Sequence, residues 1–139
     1  MDKYLLYRKT MDIAKTFEVS GIYPNAATLY GAAAECAEGE GKLTALHRMA
    51  ICFYCAGSFN HAVDGCQEAR SALDIIPSAA AALLGFEEAR ALEARRLERD
   101  VAKAAQLAAK AYEALRQQEG YEYDTFCASA LTARINSTG

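Results

Sequence analysis

A chain of 139 residues has room for one domain with its own core and is short for two independent ones. With 53% apolar and 24% charged residues it is neither a disordered tail nor a membrane protein. The net charge of -3 comes without a basic stripe, which argues against nucleic acid as a partner and against an anionic membrane surface.

The first periodic segment spans residues 2–18. Tyr4, Leu5, Met11, Ile13, Ala14 and Phe17 recur at three- and four-residue intervals, the pattern of an amphipathic helix rather than of a secretory signal. Ser20-Gly21 breaks it, and Pro24 suits the first turn of a second helix running to Ala37. The stretch Glu38-Gly39-Glu40-Gly41 reads as a turn. A third helix is expected over residues 43–56, with Leu46, Met49, Ala50 and Phe53 on one face, and Gly57-Ser58 ends it. A fourth covers residues 60–75 before Pro77. Helix resumes past Pro77, breaks weakly near Arg99-Asp100, and continues from an Asp100 cap to Gln118. A last helix spans residues 122–135.

Two stretches match at an offset of 36 residues. Gly21, Tyr23, Ala26, Tyr30 and Ala33 correspond to Gly57, Phe59, Ala62, Cys66 and Ala69. The glycine permits the reversal, the aromatic plugs the mouth of the hairpin, and the alanines let helices approach closely. In this pattern the chain resembles the tetratricopeptide repeat, whose unit is two helices in 34 residues. Repeat one would span residues 7–40 and repeat two residues 43–76. Leu46, Met49, Ala50 and Phe53 match the family's first-helix run, and Ile13, Ala14 and Phe17 match it with Thr10 as a departure. The family's closing proline is displaced, Pro77 coming three residues late.

The resemblance implies an all-α fold of antiparallel hairpins stacked as a short right-handed solenoid. The part after residue 78 is degenerate: a third hairpin with Ala104, Ala108 and Ala111 as small positions, then a capping helix ending near residue 136. In that register Arg95 falls on an aromatic core position, so the third hairpin is either degenerate or built of longer, shifted helices. It also implies a concave face built by the first helices, carrying Arg8, Met11, Lys15, Glu18 and Val19 from repeat one. Repeat two contributes Thr44, His47, Ile51, Tyr54 and Cys55. Such a face suits an acidic, partly apolar segment of another protein, with Arg8, Lys15 and His47 meeting carboxylates. The lysine–asparagine constellation with which some family members grip a terminal carboxylate is not intact, because Met11 and Lys15 stand at the corresponding first-repeat positions. Tyr121, Tyr123 and Phe126 read as a capping contact or a homodimer patch, and the charged run of residues 87–100 as a solvent-facing helix side.

Catalytic and metal chemistry leave little trace. His47 and His61 lack ligand-spaced companions, and Cys52-x-x-Cys55 lies within a helix rather than beside a strand–helix unit. Five cysteines without a signal fit reduced thiols in a cytoplasmic protein. The paired acids Glu38/Glu40 and Glu87/Glu88 read as surface groups. No metal, cofactor or catalytic constellation is expected. The favoured reading is an adaptor or chaperone-like scaffold that binds a partner protein. A structural subunit acting by self-association is the first alternative, and a helical enzyme or small-ligand protein the second.

Overall fold

The computed structural model describes residues 2–72 and 76–138. All regular structure among them is helical: α1 (Lys3–Val19), α2 (Tyr23–Glu35), α3 (Gly39–Cys55), α4 (Phe59–Ala72), α5 (Ser78–Ala94), a 3-10 turn (Glu98–Asp100), α6 (Val101–Leu115) and α7 (Glu122–Thr138). The chain divides into two compact units, meeting between residues 73 and 74. The expected end of the fourth helix, at residues 73–75, lies outside the described residues.

In the first unit each helix packs on the next in sequence, α1 on α2, α2 on α3 and α3 on α4. Asp2 starts α1 by accepting the Tyr4 amide at 3.0 Å, and Pro24 occupies the first turn of α2. The core gathers Ala14, Ala26, Ala27, Tyr30 and Cys52, with Met11, Phe17, Tyr23, Leu29, Met49 and Phe53 packed around them. Alanine at these sites brings the helix backbones close, so shape fit rather than side-chain bulk holds the hairpins.

The 36-residue offset reaches the backbone. At the first turn Ser20 N–H donates to Thr16 O (3.1 Å), Gly21 to Glu18 (3.0 Å), Ile22 to Phe17 (2.9 Å) and Ala26 to Ile22 (3.1 Å). At the second, Ala56 donates to Cys52 (2.9 Å), Gly57 to Tyr54 (3.0 Å), Ser58 to Phe53 (2.9 Å) and Ala62 to Ser58 (3.1 Å). Gly21 and Gly57 take φ of +77° and +81°, the left-handed helix ending that glycine adopts without strain.

The turn expected at residues 38–41 is shorter than the sequence suggests. Only Cys36, Ala37 and Glu38 stand between regular helix, Gly39 turns the chain at φ +59°, and α3 begins there, four residues before Leu43. Gly41 belongs to the helix. A Cβ at that position would lie 3.4 Å from the Tyr7 ring, and the Tyr7 hydroxyl donates to Gly41 O at 3.2 Å. The second glycine therefore serves the close approach of α1 rather than the reversal.

In the second unit α6 packs against both α5 and α7, and Arg134 on α7 grips Glu93 on α5 at 2.9 and 3.0 Å. Leu115 fills a core otherwise made of Ala82, Ala111 and Ala128, bordered by Leu83, Phe86, Tyr112 and Tyr121. The charged run faces solvent only in part: Arg96, Glu98 and Arg99 are exposed as expected, while three of its acids are not. Glu87, Glu88 and Asp100 are buried, as are Ala89, Ala91 and Leu92 among them. Arg90 and Lys103 reach back to Glu87 and Glu88, at 2.7 and 3.2 Å. Buried carboxylates persist where cations accompany them.

The α5–α6 connection explains why the third hairpin looks degenerate. Arg95 N–H donates to Ala91 O and Arg96 N–H to Glu93 O, as at the first two turns, but 39 residues after the second one. The 3-10 turn that follows adds three more residues, so Ala104, Ala108 and Ala111 stand 42 residues beyond Ala62, Cys66 and Ala69. The buried counterpart of Phe53 is therefore Leu92, and Arg95 is not a core residue. Its guanidinium holds Asp100 at 2.5 and 3.0 Å, so the Asp100 carboxylate is turned away from the α6 cap assigned to it from sequence.

Where the earlier turns have glycine, this one has Arg96, at φ +58°. An L-residue with an ordinary side chain pays about 1 kcal/mol there. Arg96→Gly is expected to stabilise the second unit by roughly that amount, raising its thermal midpoint by about 4–8 °C. A melting curve followed by circular dichroism reads it, and an unchanged midpoint contradicts the strain.

The Arg95 hydrogen bonds hold the Asp100 carboxyl below its usual range. A depressed folded-state value means that the stabilisation is complete above the unfolded carboxylate value, about 3.9, and is lost as pH falls through the lower folded value. Asp100→Asn is expected to cost about 1 kcal/mol at neutral pH. The difference from wild type should shrink in urea titrations carried into that acid range, and a constant difference across pH would rule the linkage out.

Candidate binding surface

Both helices that carry the expected partner-facing residues lie in the first unit. On α1, Arg8 and Lys15 are exposed, and Val19 is 79% exposed at its end. Arg8 lies over the Tyr4 ring with its guanidinium carbon 6.0 Å from the centroid. Met11 is half-buried and packs on the core. On α3, Thr44 is exposed and its hydroxyl donates to Glu40 O at 3.0 Å. His47 and Ile51 are half-buried. Tyr54 is half-buried too, its ring 5.5 Å from that of Phe59 across the Gly57 turn, and Cys55 is exposed. The open part of this surface is thus mainly the Arg8–Lys15 side of α1, with the α3 residues more withdrawn.

The residues assigned to repeat packing are placed as follows. Ala26, Tyr30, Ala33, Ala62, Cys66 and Ala69 are buried, Tyr23 and Phe59 are half-buried, and Gly21 and Gly57 sit exposed in the turns.

Glu18 departs from its expected place on the partner-facing side. One carboxylate oxygen accepts the Tyr30 hydroxyl at 2.7 Å, and the other is paired with the Arg48 guanidinium. Three helices are joined by this polar knot: α1 supplies Glu18, α2 Tyr30 and α3 Arg48. Burial, followed by the bond to Glu18, pushes the Tyr30 phenol up to about 12. Cys52 is fully buried nearby and its thiol is likewise pushed up to about 12 by burial, so at neutral pH it is a protonated packing group rather than a nucleophile. Arg48 was not singled out from sequence, and the repeat offers no signal for it. Its counterpart 36 residues earlier is Asp12, and Cys66 stands where Tyr30 recurs.

With Glu18 engaged internally, the outward charge of α1 is set by Lys3, Arg8, Lys9 and Lys15 against Asp12. Arg8 and Lys15, seven residues apart, share one side with Asp12 beside them, while Lys3 and Lys9 project from other sides, so the helix of an acidic chain carries outward positive charge. At the amino-terminal end of that helix a notch of about 500 Å³ is lined by Lys3, Tyr4, Tyr7, Cys36 and Lys42, with Glu35 and Glu38 beside them. Tyr4 is common to the notch and to the Arg8 contact, so the Arg8–Lys15 side and the notch are continuous. Among the described residues no group of three or more His, Cys, Asp or Glu side chains is placed to hold a metal ion, and no helix is long and apolar enough to cross a membrane.

Set beside protein families, curated proteins and solved structures, the chain matches none of them. The general character of a helical-repeat protein, helices packed mostly on their sequence neighbours, follows from the structure itself.

Proposed function

We propose that the first unit is a protein-binding module of the tetratricopeptide kind, and that it receives an acidic, partly apolar segment of a partner along α1. The observation that carries this reading is the basic side of α1 in a chain of net charge -3, left outward because its own glutamate is taken up by Arg48. Arg8 and Lys15 attract carboxylates, and the Tyr4 ring with the exposed Val19 offers apolar contact on the same side. The turn hydrogen bonds repeated at 36 residues support the repeat character, and the packing of α2 between α1 and α3 holds the surface in register.

The test is fluorescence anisotropy with labelled peptides in which acidic and apolar residues alternate, against sequence-matched basic peptides. Arg8→Glu combined with Lys15→Glu should weaken binding of the acidic peptides at least about tenfold, and added salt should weaken the wild type. Tyr54 is unsuited to the test, since its ring packs on Phe59 and its removal disturbs the turn. Equal binding of acidic and basic peptides, or no effect of the charge reversal, would refute the proposal.

A further inference from the structure

The carboxy-terminal helix has two faces that avoid charge, and only one of them is buried in its own unit among the described residues. Ala128, Leu131 and Ile135 are buried on the inner side. On the opposite side Tyr123, Phe126, Ala130, Ala133 and Ser137 follow one another at alternating spacings of three and four, which places them in a single stripe. All five are exposed, Tyr123 by 77% and Phe126 by 69%. Tyr121, grouped with these aromatics in the sequence, points elsewhere and packs on the core around Leu115. The stripe is roughly 21 Å long at 1.5 Å per residue.

We propose that this stripe is a homodimer interface in which α7 of a second copy packs antiparallel on the first, with Ala130 of each copy at the two-fold axis. The distribution of bulk along the helix selects that occupant. The large residues lie in the amino-terminal half of the stripe and the small ones in the carboxy-terminal half. In an antiparallel pair Phe126 meets Ala133 of the second copy, Tyr123 meets Ser137, and each contact occurs twice, as a two-fold interface requires. A parallel pair would set aromatic against aromatic and hold the alanines apart.

Area fixes the strength. A tyrosine or phenylalanine side chain buries 150–250 Å², so at these exposures the two aromatics offer roughly 300 Å². The small residues bring the face to roughly 500 Å² per copy, or about 1,000 Å² in total, the lower bound for a specific interface. A face at that bound makes a weak, reversible dimer rather than a permanent one.

Sedimentation equilibrium of the full chain in reductant, from low micromolar to near-millimolar concentration, tests this. Wild type should pass from monomer to dimer, with a constant that changes less than about twofold on raising salt, since the stripe itself is uncharged. Phe126→Asp should raise the dissociation constant at least about tenfold with an unchanged circular-dichroism spectrum. Ala130→Glu, also a solvent-facing change, should do the same and guards against an unforeseen folding defect in the first variant. A wild type that stays monomeric throughout overturns the proposal, as does dimerisation of both variants with wild-type affinity.

Discussion

Glu18→Ala is expected to lower the stability of the first unit by about 2 kcal/mol, a large share of what a small unit has to lose. The carboxylate receives the Tyr30 hydroxyl and the Arg48 guanidinium at once, so its removal strands the buried Tyr30 hydroxyl, while Arg48, its side chain 40% exposed, turns to solvent. Stranded groups cost their desolvation, which exceeds the net gain from a typical hydrogen bond. Glu18→Gln keeps an acceptor for Tyr30 but loses the ion pair, and should fall between wild type and alanine. In a double-mutant cycle with Arg48→Met the two losses should be less than additive, because the second change removes a cation that the first has already deprived of its partner. Urea titration of the four proteins measures it, and an alanine variant within about 0.5 kcal/mol of wild type would show that the knot contributes nothing.

In the second unit the corresponding test is Leu115→Ala, with an expected loss of about 4 kcal/mol. Leu115 is fully buried, and the buried residues clustered with it are Ala82, Ala111 and Ala128. The alanines have no side-chain length with which to fill the space a leucine leaves, and the larger neighbours Leu83, Phe86, Tyr112 and Tyr121 border the cluster only from its rim, so part of the cavity stays open. Leu97→Ala is the control: Leu97 is 38% exposed, and its change should cost only about 1 kcal/mol. Similar losses for both variants would mean that the core is not centred where the structure puts it.

How much of this was legible in the sequence depends on how local the determining forces are. The helices were readable because their periodicity and their breakers act over a few residues, and Gly21 and Gly57 mark turns that no other residue type enters so easily. The start of α3 was missed because Gly39 and Gly41 look alike in sequence while one turns the chain and the other makes room for Tyr7. The third hairpin was misregistered because its left-handed position is held by an arginine and its connection carries an added 3-10 turn. The burial of Glu87, Glu88 and Asp100 was illegible for a different reason. A run of alternating charges looks the same whether its partners are solvent or neighbouring cations, and only the placement of Arg90, Arg95 and Lys103 decides. On the candidate surface, charge and exposure at Arg8 and Lys15 could be read from the periodicity of α1. The withdrawal of Glu18 could not, since it needs Tyr30 and Arg48 brought from two other helices.

The identity of the first two turns, bond for bond, makes them interchangeable crossover points for recombination. An in-frame duplication of residues 21–56 would join the end of α3 to a second copy of α2 through a turn that already exists in the protein, and would lengthen the array by one hairpin with no new junction to solve. The α5–α6 turn repeats part of the same bonding but runs on into a 3-10 turn that the others lack, so the same event across it would join unlike connections. The gene is therefore expected to grow and shrink readily in its first half and to hold its length in the second.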